Sequence, residues 1–386
     1  NYVNLCEHFN MHLIPHISTD FLSIVFIVFL VAVFLQLLYL FLVPFRLLIY
    51  KQKNISGQLK PVSIIICARN EEDNLVKNLP LILDQHYHEF EVIVVNDQSV
   101  DDSGHLIKAF QKTYPNLKLI ELERNKHRKF GKKIPLTVGI KGAKYEHLLL
   151  IDADCRPTSN NWAKEMMQGY VDDKSIVIGY GPYQVEKGVL NKLIRFDTTA
   201  IASTYMGMAL MGRPYMGVGR NLSYTKQQFF DVLGFKKHYH IQSGDDDLFM
   251  QEAANGKNVS VSIQPESFVY SEPKRSWKAW VRQKQRHYTT ATEYRLINKI
   301  FLGIFPMSML LMLFSFFILM FYYEWWLFVL LIFGLRFVFY WLINGLLFRK
   351  LKMKDLVAVY PLIELVHFFL MPFIYYSSDR TEKGKW

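Results

Sequence analysis

Two carboxylates separated by one residue, Asp152 and Asp154, directly follow four apolar residues in the segment Leu148–Cys155. Beyond a strand, side chains at i and i+2 point to the same side while the chain stays extended. Carboxylates this close repel each other, and one tends to take up a proton unless a cation lies between them. Oxygen ligands suit Mg²⁺ or Mn²⁺, which keep positions for phosphate oxygens. The pattern favours a metal site, although a solvated acidic turn can have the same sequence pattern.

A second acidic cluster, Asp245-Asp246-Asp247, precedes an apolar helical run. One of these aspartates can cap the helix, and negative charge is favoured in the first helical turn. Three acids are more than capping requires. A carboxylate held at such a position can act as a general base toward a hydroxyl group.

Three further polar segments follow apolar runs or open helices. The segment Ala68-Arg69-Asn70-Glu71 follows the first apolar run, and its asparagine and glutamate also suit a helix N-terminus. Asp97 stands directly after the second run, where its carboxylate can accept a hydrogen bond from a base or a ribose. Lys132 begins a helix whose N–H groups and dipole can bind an anion, although a solvated basic turn is equally common.

An alternation of strands and helices must position these segments. Short β-branched runs predict strands at 62–67, 91–96, 117–121 and 147–151, and the amphipathic stretches between them predict helices at 71–85, 101–113 and 134–144. This alternation predicts an α/β domain with a mostly parallel sheet, covered by helices on both faces. Ligands of such sheets bind beyond the carboxyl ends of the strands, where the clusters described above lie.

Long apolar runs flank the predicted α/β domain. The chain has 386 residues and a formal net charge of +11, and its 22 Tyr and 30 Phe make it highly aromatic for a soluble enzyme. The uncharged run 21–43 can cross a hydrocarbon core of ~30 Å, and it lacks the basic n-region of the alternative, a signal peptide. Three more candidate spans are 300–321, 325–348 and 356–376. Polar residues within the spans should face the protein interior: Arg336, Glu364 and His367.

The basic residues around the spans predict the topology. Residues after the first and third spans favour the cytoplasmic side and so place 44–299 in the cytoplasm: Arg46, Lys51, Lys53, Lys60, Arg349, Lys350, Lys352 and Lys354. Four spans would put the basic tail 378–386 outside, so the last segment is either re-entrant or followed by an exception to the rule. With Cys6 outside and the other two cysteines in a reducing compartment, no disulfide is expected.

The segment 272–298 joins the predicted α/β domain to the second span. It carries basic residues among Trp and Tyr, which is typical of an amphipathic helix at a membrane surface. Nucleic-acid binding uses the same residue types. The direct join to an apolar span favours the lipid surface, and no nucleic-acid partner is expected.

Taken in order, the segments ARNEE, VVNDQSVDDS, GKK, DAD, SGDDDL and QKQRH resemble the family 2 glycosyltransferases with a GT-A fold. More narrowly, they resemble the membrane-integrated branch that includes ceramide glucosyltransferase and the hyaluronan, cellulose and poly-N-acetylglucosamine synthases. Each motif is weak alone, but together, over 60–297, they are specific. The resulting organisation is an outer segment 1–20, a span and link 21–50, a cytoplasmic GT-A domain 55–271, an interfacial helix 272–298, three transmembrane segments in 299–377, and the tail 378–386.

The resemblance also implies roles for single residues. A nucleotide-sugar, with a UDP-sugar favoured, would be bound by the following residues, with Lys132 near its phosphates: Ala68, Arg69, Asn70, Glu71, Asp97, Asp152 and Ala153. Asp154, with Asp152 beside it, would ligate Mn²⁺ or Mg²⁺ and so also hold the donor. If the segment is aligned with the family's D-x-D-L motif, the catalytic base is Asp245. If it is aligned with the family's G-D-D motif, the base is Asp246. We rank Asp245 first.

On the acceptor side, the resemblance implies a set of six residues: Gly219, Arg220, Asn221, Gln283, Arg286 and His287. His287 stands where the family's Q-x-x-R-W motif has tryptophan. Any acceptor contact that depends on stacking against an indole is therefore in doubt.

The resulting functional prediction is an inverting, metal-dependent glycosyltransferase of a bacterial inner membrane or its equivalent. It would move a sugar to a hydroxyl of a lipid or lipid-linked acceptor at the cytoplasmic face. A processive polysaccharide synthase is the alternative within the family, but few spans are available to line a secretion pore. A non-catalytic membrane scaffold or sugar-nucleotide-binding module is the alternative of another class, and the intact acidic motifs argue against it.

Overall fold

The computed structural model describes residues 20–377 apart from 54, 56, 124–130 and 323. The predictions for the N-terminal residues 1–19, including Cys6, and for the tail 378–386 concern residues outside this part. Within it, Cys67 and Cys155 are buried free thiols.

The α/β domain contains nine strands in the described part of the chain: β1 Val62–Ala68, β2 Phe90–Asp97, β3 Leu117–Leu122, β4 His147–Leu150, β5 Cys155–Pro157, β6 Ile176–Ile178, β7 Leu222–Thr225, β8 Val259–Val261 and β9 Val269–Ser271. Seven of them form one sheet in the order β3-β2-β1-β4-β7-β6-β8, and β5 pairs with β9. β2 lies parallel to β1 and β3, and β4 parallel to β1, whereas β7 is antiparallel to its neighbours β4 and β6. The predicted mostly parallel sheet is confirmed, and the carboxyl ends of β1, β2 and β4 meet at one edge.

Helices connect and cover the strands, and others continue beyond the sheet. Their bounds are α1 Phe21–Leu42, α2 Pro44–Ile49, α3 Glu72–Leu83, α4 Ser103–Gln111, α5 Lys133–Gly142, α6 Trp162–Met167, α7 Val189–Leu210, α8 Lys226–Asp231, α9 Asp247–Ala253, α10 Trp277–Tyr288, α11 Leu296–Tyr322, α12 Trp326–Lys350 and α13 Tyr360–Tyr376. The predicted helices at 71–85, 101–113 and 134–144 correspond to α3, α4 and α5. Their ends shift by a few residues because capping depends on neighbouring loops.

Apolar packing on both faces explains the composition of the central strands. β1 is buried along its whole length, as expected for a strand covered on both sides. α3 packs with Leu75, Leu79 and Ile82 in the same core as β1. α5 approaches the sheet closely at Gly139, where an added Cβ would lie 2.8 Å from Ile65 Cγ2. This close approach fixes the start of α5, and with it Lys132, relative to β1.

The described part of the chain divides into two compact units, one of residues 20–40 with Ile300–Leu342, the other of Phe41–Lys299 with residues 343–377. Among the described residues, three helical segments are long and apolar enough to cross a membrane: Phe21–Ile49, α11 and α12. α13, the fourth predicted span, is an apolar helix of 17 residues.

The unit that includes Ile300–Leu342 contains a buried polar cluster around Gln36. Arg336 is 2% exposed and donates to Gln36 Oε1 at 2.5 Å, and Gln36 in turn donates to Ser308 Oγ at 2.8 Å. Tyr340 OH donates to the carbonyl of Gln36 at 2.7 Å. The expectation that Arg336 faces the protein interior is confirmed by its burial and its hydrogen bond to Gln36. A cation within an apolar segment is costly unless polar groups bind it.

Candidate active site

The site lies at the carboxyl edge of the sheet, where the chain leaves β4. The N–H of Ile151 donates to the carbonyl of Ile65, which extends the pairing with β1 by one residue. Ala153 is buried, and its carbonyl accepts a hydrogen bond from Asn78 Nδ2 of α3 at 2.9 Å. This inward turn leaves Asp152 half-buried and Asp154 exposed at the sheet edge.

Lys132 joins the two acidic motifs that sequence places far apart. Its ammonium forms an ion pair with Asp152 Oδ1 and lies 3.6 Å from Asp245 Oδ2. Burial alone would lower the pKa of Lys132, but the carboxylates of Asp152 and Asp245 raise it well above its ordinary value. Burial would likewise raise the pKa of Asp152, but the charge and hydrogen bond of Lys132 lower it. The cluster therefore consists of one ammonium between two carboxylates.

The donor atoms at the turn fit a hard divalent cation. One carboxylate oxygen each of Asp152 and Asp154 and the sulfur of Cys155 lie within 4.8 Å of one another. Burial raises the pKa of Cys155 well above its ordinary value, and the thiol donates to Asp154 Oδ1 at 3.1 Å. A protonated thiol is not a metal ligand, and Mg²⁺ and Mn²⁺ prefer oxygen. Of these three groups, the two carboxylates are the ones that could hold such an ion, and the Cys155 thiol donates a hydrogen bond to one of them.

Asp246 has partners different from those of Asp245. Its Oδ1 accepts from the N–H of Asp247 at 2.7 Å, which caps α9, and its Oδ2 accepts from the N–H of Gly219 at 2.8 Å. A Cβ added at Gly219 would lie 3.4 Å from Asp245 Oδ2. The backbone at Gly219 thus passes directly over the acidic cluster.

Replacing Asp246 with asparagine should raise the stability of the protein at neutral pH relative to acidic pH. Burial, followed by the charges of Asp245 and Asp247, raises the pKa of Asp246 to about 7. An unfolded aspartate releases its proton near pH ~4, so the contribution of Asp246 to the stability of the wild type falls as pH rises from about 4 to about 7. Asparagine still caps a helix but has no proton to lose. Thermal unfolding midpoints in detergent should therefore favour the variant increasingly across this interval, and a pH-independent difference would contradict the shift.

The loops after β1 and β2 are hydrogen-bonded to each other, on the side of the site that is predicted to bind the nucleotide-sugar donor. Asn70 adopts φ of 55°, a left-handed conformation that asparagine tolerates. Its Oδ1 accepts from the N–H of Val100 at 2.8 Å, and its own N–H donates to Ser99 Oγ at 3.0 Å. The N–H of Glu71 donates to Ser103 Oγ at 3.1 Å. The interpretation of Asn70 as the cap of α3 is wrong, because the residue at that position is Glu71.

The remaining donor-side residues stand at the ends of β1 and β2. Ala68 is fully buried and pairs in register with Asn96, while Arg69 is half-buried. Asp97 is 0% exposed, and its Oδ1 accepts from Gln98 Nε2 at 3.3 Å. The structure brings these residues together, and a direct contact of Asp97 with a nucleotide stays a prediction.

On the predicted acceptor side, Tyr183 connects two residues that are distant in sequence. The guanidinium of Arg220 lies 4.9 Å from the centroid of the Tyr183 ring, and Arg220 Nε donates to the carbonyl of Gly181 at 2.9 Å. Gln283 Nε2 donates to Tyr183 OH at 3.0 Å. The Gly219–Arg220 turn therefore contacts the acidic cluster on one side and, through Tyr183, α10 on the other. No motif in the sequence marks Tyr183.

Asn221 is placed inside the protein. It is fully buried, accepts from Trp162 Nε1 at 3.0 Å, and donates to the carbonyls of Tyr180 and Ser267 at 2.9 and 2.8 Å. Because these bonds use all the polar atoms of its side chain, we assign Asn221 a structural role in place of the predicted acceptor contact. The sequence could not distinguish it from its neighbours because burial here is set by distant segments.

One face of α10, the helix of the QKQRH segment, is buried against the protein. Trp280 is 1% exposed, and Lys284 Nζ donates to Asp197 Oδ2 of α7 at 2.8 Å. His367 Nε2 lies 2.8 Å from the other oxygen of Asp197. Burial would raise the pKa of Asp197, but Lys284 and His367 hold it well below its ordinary value. The signal that sequence reasoning missed is an isolated aspartate within the apolar segment of α7.

Arg286 and His287 lie in the last turn of α10, and both are exposed. The helix ends at Tyr288, a 3-10 turn follows at Ala291–Glu293, and α11 begins at Leu296. The predicted interfacial helix 272–298 is therefore shorter than its range, because α11 begins within it. Its position at a membrane surface stays a prediction.

Comparison with known proteins agrees with this architecture. A mannosyltransferase from Pyrobaculum calidifontis, solved in complex with GDP-Man and Mn²⁺, has a TM-score of 0.54 at 17% sequence identity, covering 89% of this chain and 98% of that one. The poly-beta-1,6-N-acetyl-D-glucosamine synthase of Staphylococcus epidermidis is 35% identical over 112 residues, 29% of this chain and 26% of that protein. A probable glycosyltransferase of Bacillus subtilis is 23% identical over 239 residues, 59% of this chain and 54% of that protein. The matches thus span only part of these two relatives.

Family profiles cover a larger part of the chain. The profile described as Glycosyl transferase family 2 matches residues 63–229, which contain both strand-end loops and the turn with Asp152 and Asp154. The profile described as Glycosyl transferase family group 2 matches residues 147–371, from the start of β4 into α13. Together with the GT-A architecture, these matches show that the chain belongs to the family 2 glycosyltransferases.

Proposed function

We propose that the protein is an integral membrane glycosyltransferase that moves a sugar from a nucleotide-sugar to a hydroxyl of a lipid or lipid-linked acceptor, with inversion at the anomeric carbon. The observation that carries this proposal is the contact of Lys132 with both Asp152 and Asp245. One ammonium between a donor-side and an acceptor-side carboxylate holds the two halves of a transfer site at a fixed separation.

On the donor side, the paired loops after β1 and β2 would receive the nucleotide, and a UDP-sugar is the favoured donor. The bonds of Asn70 to Ser99 and Val100 hold these loops in place before a ligand arrives. The GDP-Man in the structurally similar mannosyltransferase is consistent with a nucleotide-sugar at this edge of the sheet.

Asp154, with Asp152 beside it, would hold Mn²⁺ or Mg²⁺. Such an ion, when bound, stabilises the negative charge that develops on the departing nucleoside diphosphate. Asp154 suits direct ligation of the metal because it is exposed, and only one of its oxygens accepts the hydrogen bond from the Cys155 thiol. Lys132 would orient Asp152 and supply positive charge near the phosphates.

Asp245 would be the general base that takes the proton of the attacking hydroxyl. Both oxygens of Asp246 accept backbone hydrogen bonds, so that residue is committed to holding the turn between Gly219 and α9. Asp245 instead faces Lys132, and its side chain is 16% exposed. One base acting on one acceptor gives a single displacement, which inverts the anomeric carbon.

The acceptor would enter from the side of α10, where Gln283 and Arg220 meet at Tyr183. Arg286 and His287 are exposed on the same helix and would contact the acceptor. We place the GT-A domain, 55–271, in the cytoplasm, since basic residues follow the apolar helices on that side. A lipid acceptor presents its hydroxyl at that interface.

A second candidate is a processive polysaccharide synthase. The Staphylococcus epidermidis relative is named as a synthase of this kind, and that likeness favours a growing glycan as acceptor. Of the described helices, three are long and apolar enough to cross a membrane, a small set for enclosing a secretion pore. This count favours the lipid acceptor as the first candidate.

Incubation of the purified protein with labelled nucleotide-sugars and a total lipid extract should give a labelled product in the organic phase. The transferred sugar should carry the anomeric configuration opposite to that of the donor, as measured by NMR. The Asp245→Asn protein is the matched control. A long aqueous polymer would refute the lipid acceptor, and transfer with retained configuration would refute the single displacement.

A further inference from the structure

The third aspartate of the acidic cluster, Asp247, has no part in the chemistry proposed above. It is the first residue of α9 and is 7% exposed. Its Oδ1 accepts from the N–H of Leu248 at 2.7 Å. Its Oδ2 accepts from the hydroxyls of Thr290 and Tyr294, the latter at 2.8 Å. A buried carboxylate with no cation among these bonding partners is thus satisfied by three donors.

The two hydroxyls come from the connection between α10 and α11. Thr290 is 2% exposed, and its Oγ1 also lies 3.0 Å from the carbonyl of His287, in the last turn of α10. Tyr294 lies two residues before the start of α11 and packs edge-on against the buried ring of Tyr215. Asp247 therefore contacts the chain immediately after the acceptor-side helix.

A second residue of α9 repeats this attachment one turn later. Gln251 Oε1 accepts from the N–H of Arg295 at 3.1 Å and from Asn298 Nδ2 at 2.8 Å. Gln251 Nε2 donates to the carbonyl of Tyr215 at 2.8 Å. Residues at i and i+4 lie on the same helix face, so Asp247 and Gln251 bind the connection along one side of α9.

We propose that Asp247 is a positioning residue. By binding Thr290 and Tyr294, it fixes the loop that carries Asp245 to the connection between α10 and α11, so that Asp245 and α10, the helix on the predicted acceptor side, keep one relative position. This inference rests on the proposed function in assigning Asp245 as base. Asp245 is two residues from Asp247, and the cap made by Asp246 leaves little backbone freedom between them. A misplacement of a reacting group by about 1 Å can cost about 10²-fold in rate.

Thr290→Val, which removes the hydroxyl at constant shape, and Tyr294→Phe test the proposal. Each should lower kcat for transfer about tenfold, and the double variant about a hundredfold, with the dissociation constant of the nucleotide-sugar changed less than about twofold. Thr290→Ser keeps the hydroxyl and should retain the wild-type kcat. An unchanged kcat in the double variant, an equal loss in Thr290→Ser, or a parallel loss of donor affinity would overturn the positioning role.

Hydrogen exchange separates failure of this proposal from failure of the proposed function. In the double variant, backbone amides of residues 245–251 should exchange faster while those of β1 and β2 are unchanged, and Thr290→Ser should match the wild type. This measurement needs no acceptor or turnover. Unchanged exchange at 245–251 would refute the attachment whatever the enzyme transfers, whereas faster exchange in a protein without transferase activity would refute the proposed function alone.

Discussion

Replacement of Asp245 by asparagine is expected to leave donor binding intact and to slow sugar transfer by about 10²–10⁴-fold, the usual contribution of a general base. Asparagine has the shape of aspartate but cannot take a proton. The ion pair of Lys132 with Asp152 does not involve Asp245 and should persist, so the donor side keeps its main contact. Initial rates at saturating donor, together with calorimetric titration of the nucleotide-sugar, measure the two effects separately.

Asp246→Asn is the matched control for this experiment. Asparagine has a single acceptor oxygen, so it can keep either the cap of α9 or the bond from the N–H of Gly219, and it loses the other. We expect this variant to keep transfer within about tenfold of the wild type, since it loses no group that accepts the substrate proton. If Asp246→Asn alone eliminated transfer while Asp245→Asn retained it, the base would have to be reassigned to Asp246.

Asp154→Ala should lower metal-dependent turnover by about 10³-fold or more, because charge stabilisation by a bound metal is worth several kcal/mol. Asp154 is the exposed carboxylate of the predicted metal site and does not share the ion pair that occupies Asp152. Its removal deletes the proposed ligand and leaves the Cys155 thiol without its acceptor on that side. The concentration of free Mn²⁺, followed by its paramagnetic resonance signal, should show weaker binding in the variant.

Glu89→Ala serves as the control for Asp154→Ala. Glu89 is an exposed acid directly before β2, at the edge of the sheet opposite to the site. Its loss changes the net charge equally and should affect neither Mn²⁺ binding nor turnover. Wild-type activity that persists undiminished in excess chelator would overturn the metal assignment, whatever the behaviour of the variants.

The central strands, the helices between them and the long apolar helices could be predicted because their signals are local. β1 and β2 carry continuous β-branched runs, and α3 and α4 carry apolar residues at helical spacing. The length of an apolar run likewise indicates a span, as for α11 and α12. α13 was less predictable, since its 17 residues fall between the lengths of a span and a buried helix.

Relations between segments distant in the chain escaped prediction. The sequence predicted α10 as an amphipathic helix at a membrane surface, but it did not indicate that Lys284 turns inward to Asp197, a residue of α7. The run Gly219–Asn221 suggested one acceptor-side stretch, but its last residue is buried among carbonyls of other loops. In each case a hydrogen-bonding partner from a remote segment decides the direction of the side chain.

By itself, the sequence determined that two carboxylates, Asp152 and Asp154, stand at the end of a buried strand. Adjacency in the chain was sufficient to keep the two carboxylates close, but the expected extended geometry was wrong, because the chain turns here and the N–H of Cys155 donates to the carbonyl of Asp152. Only the tertiary structure decided the separate partners of Asp245, Asp246 and Asp247, which are indistinguishable by type and spacing. Packing of the core brings Lys132 to the first, Gly219 to the second and Thr290 to the third. The partner of each carboxylate comes from a distant segment of the chain, so it depends on the tertiary structure.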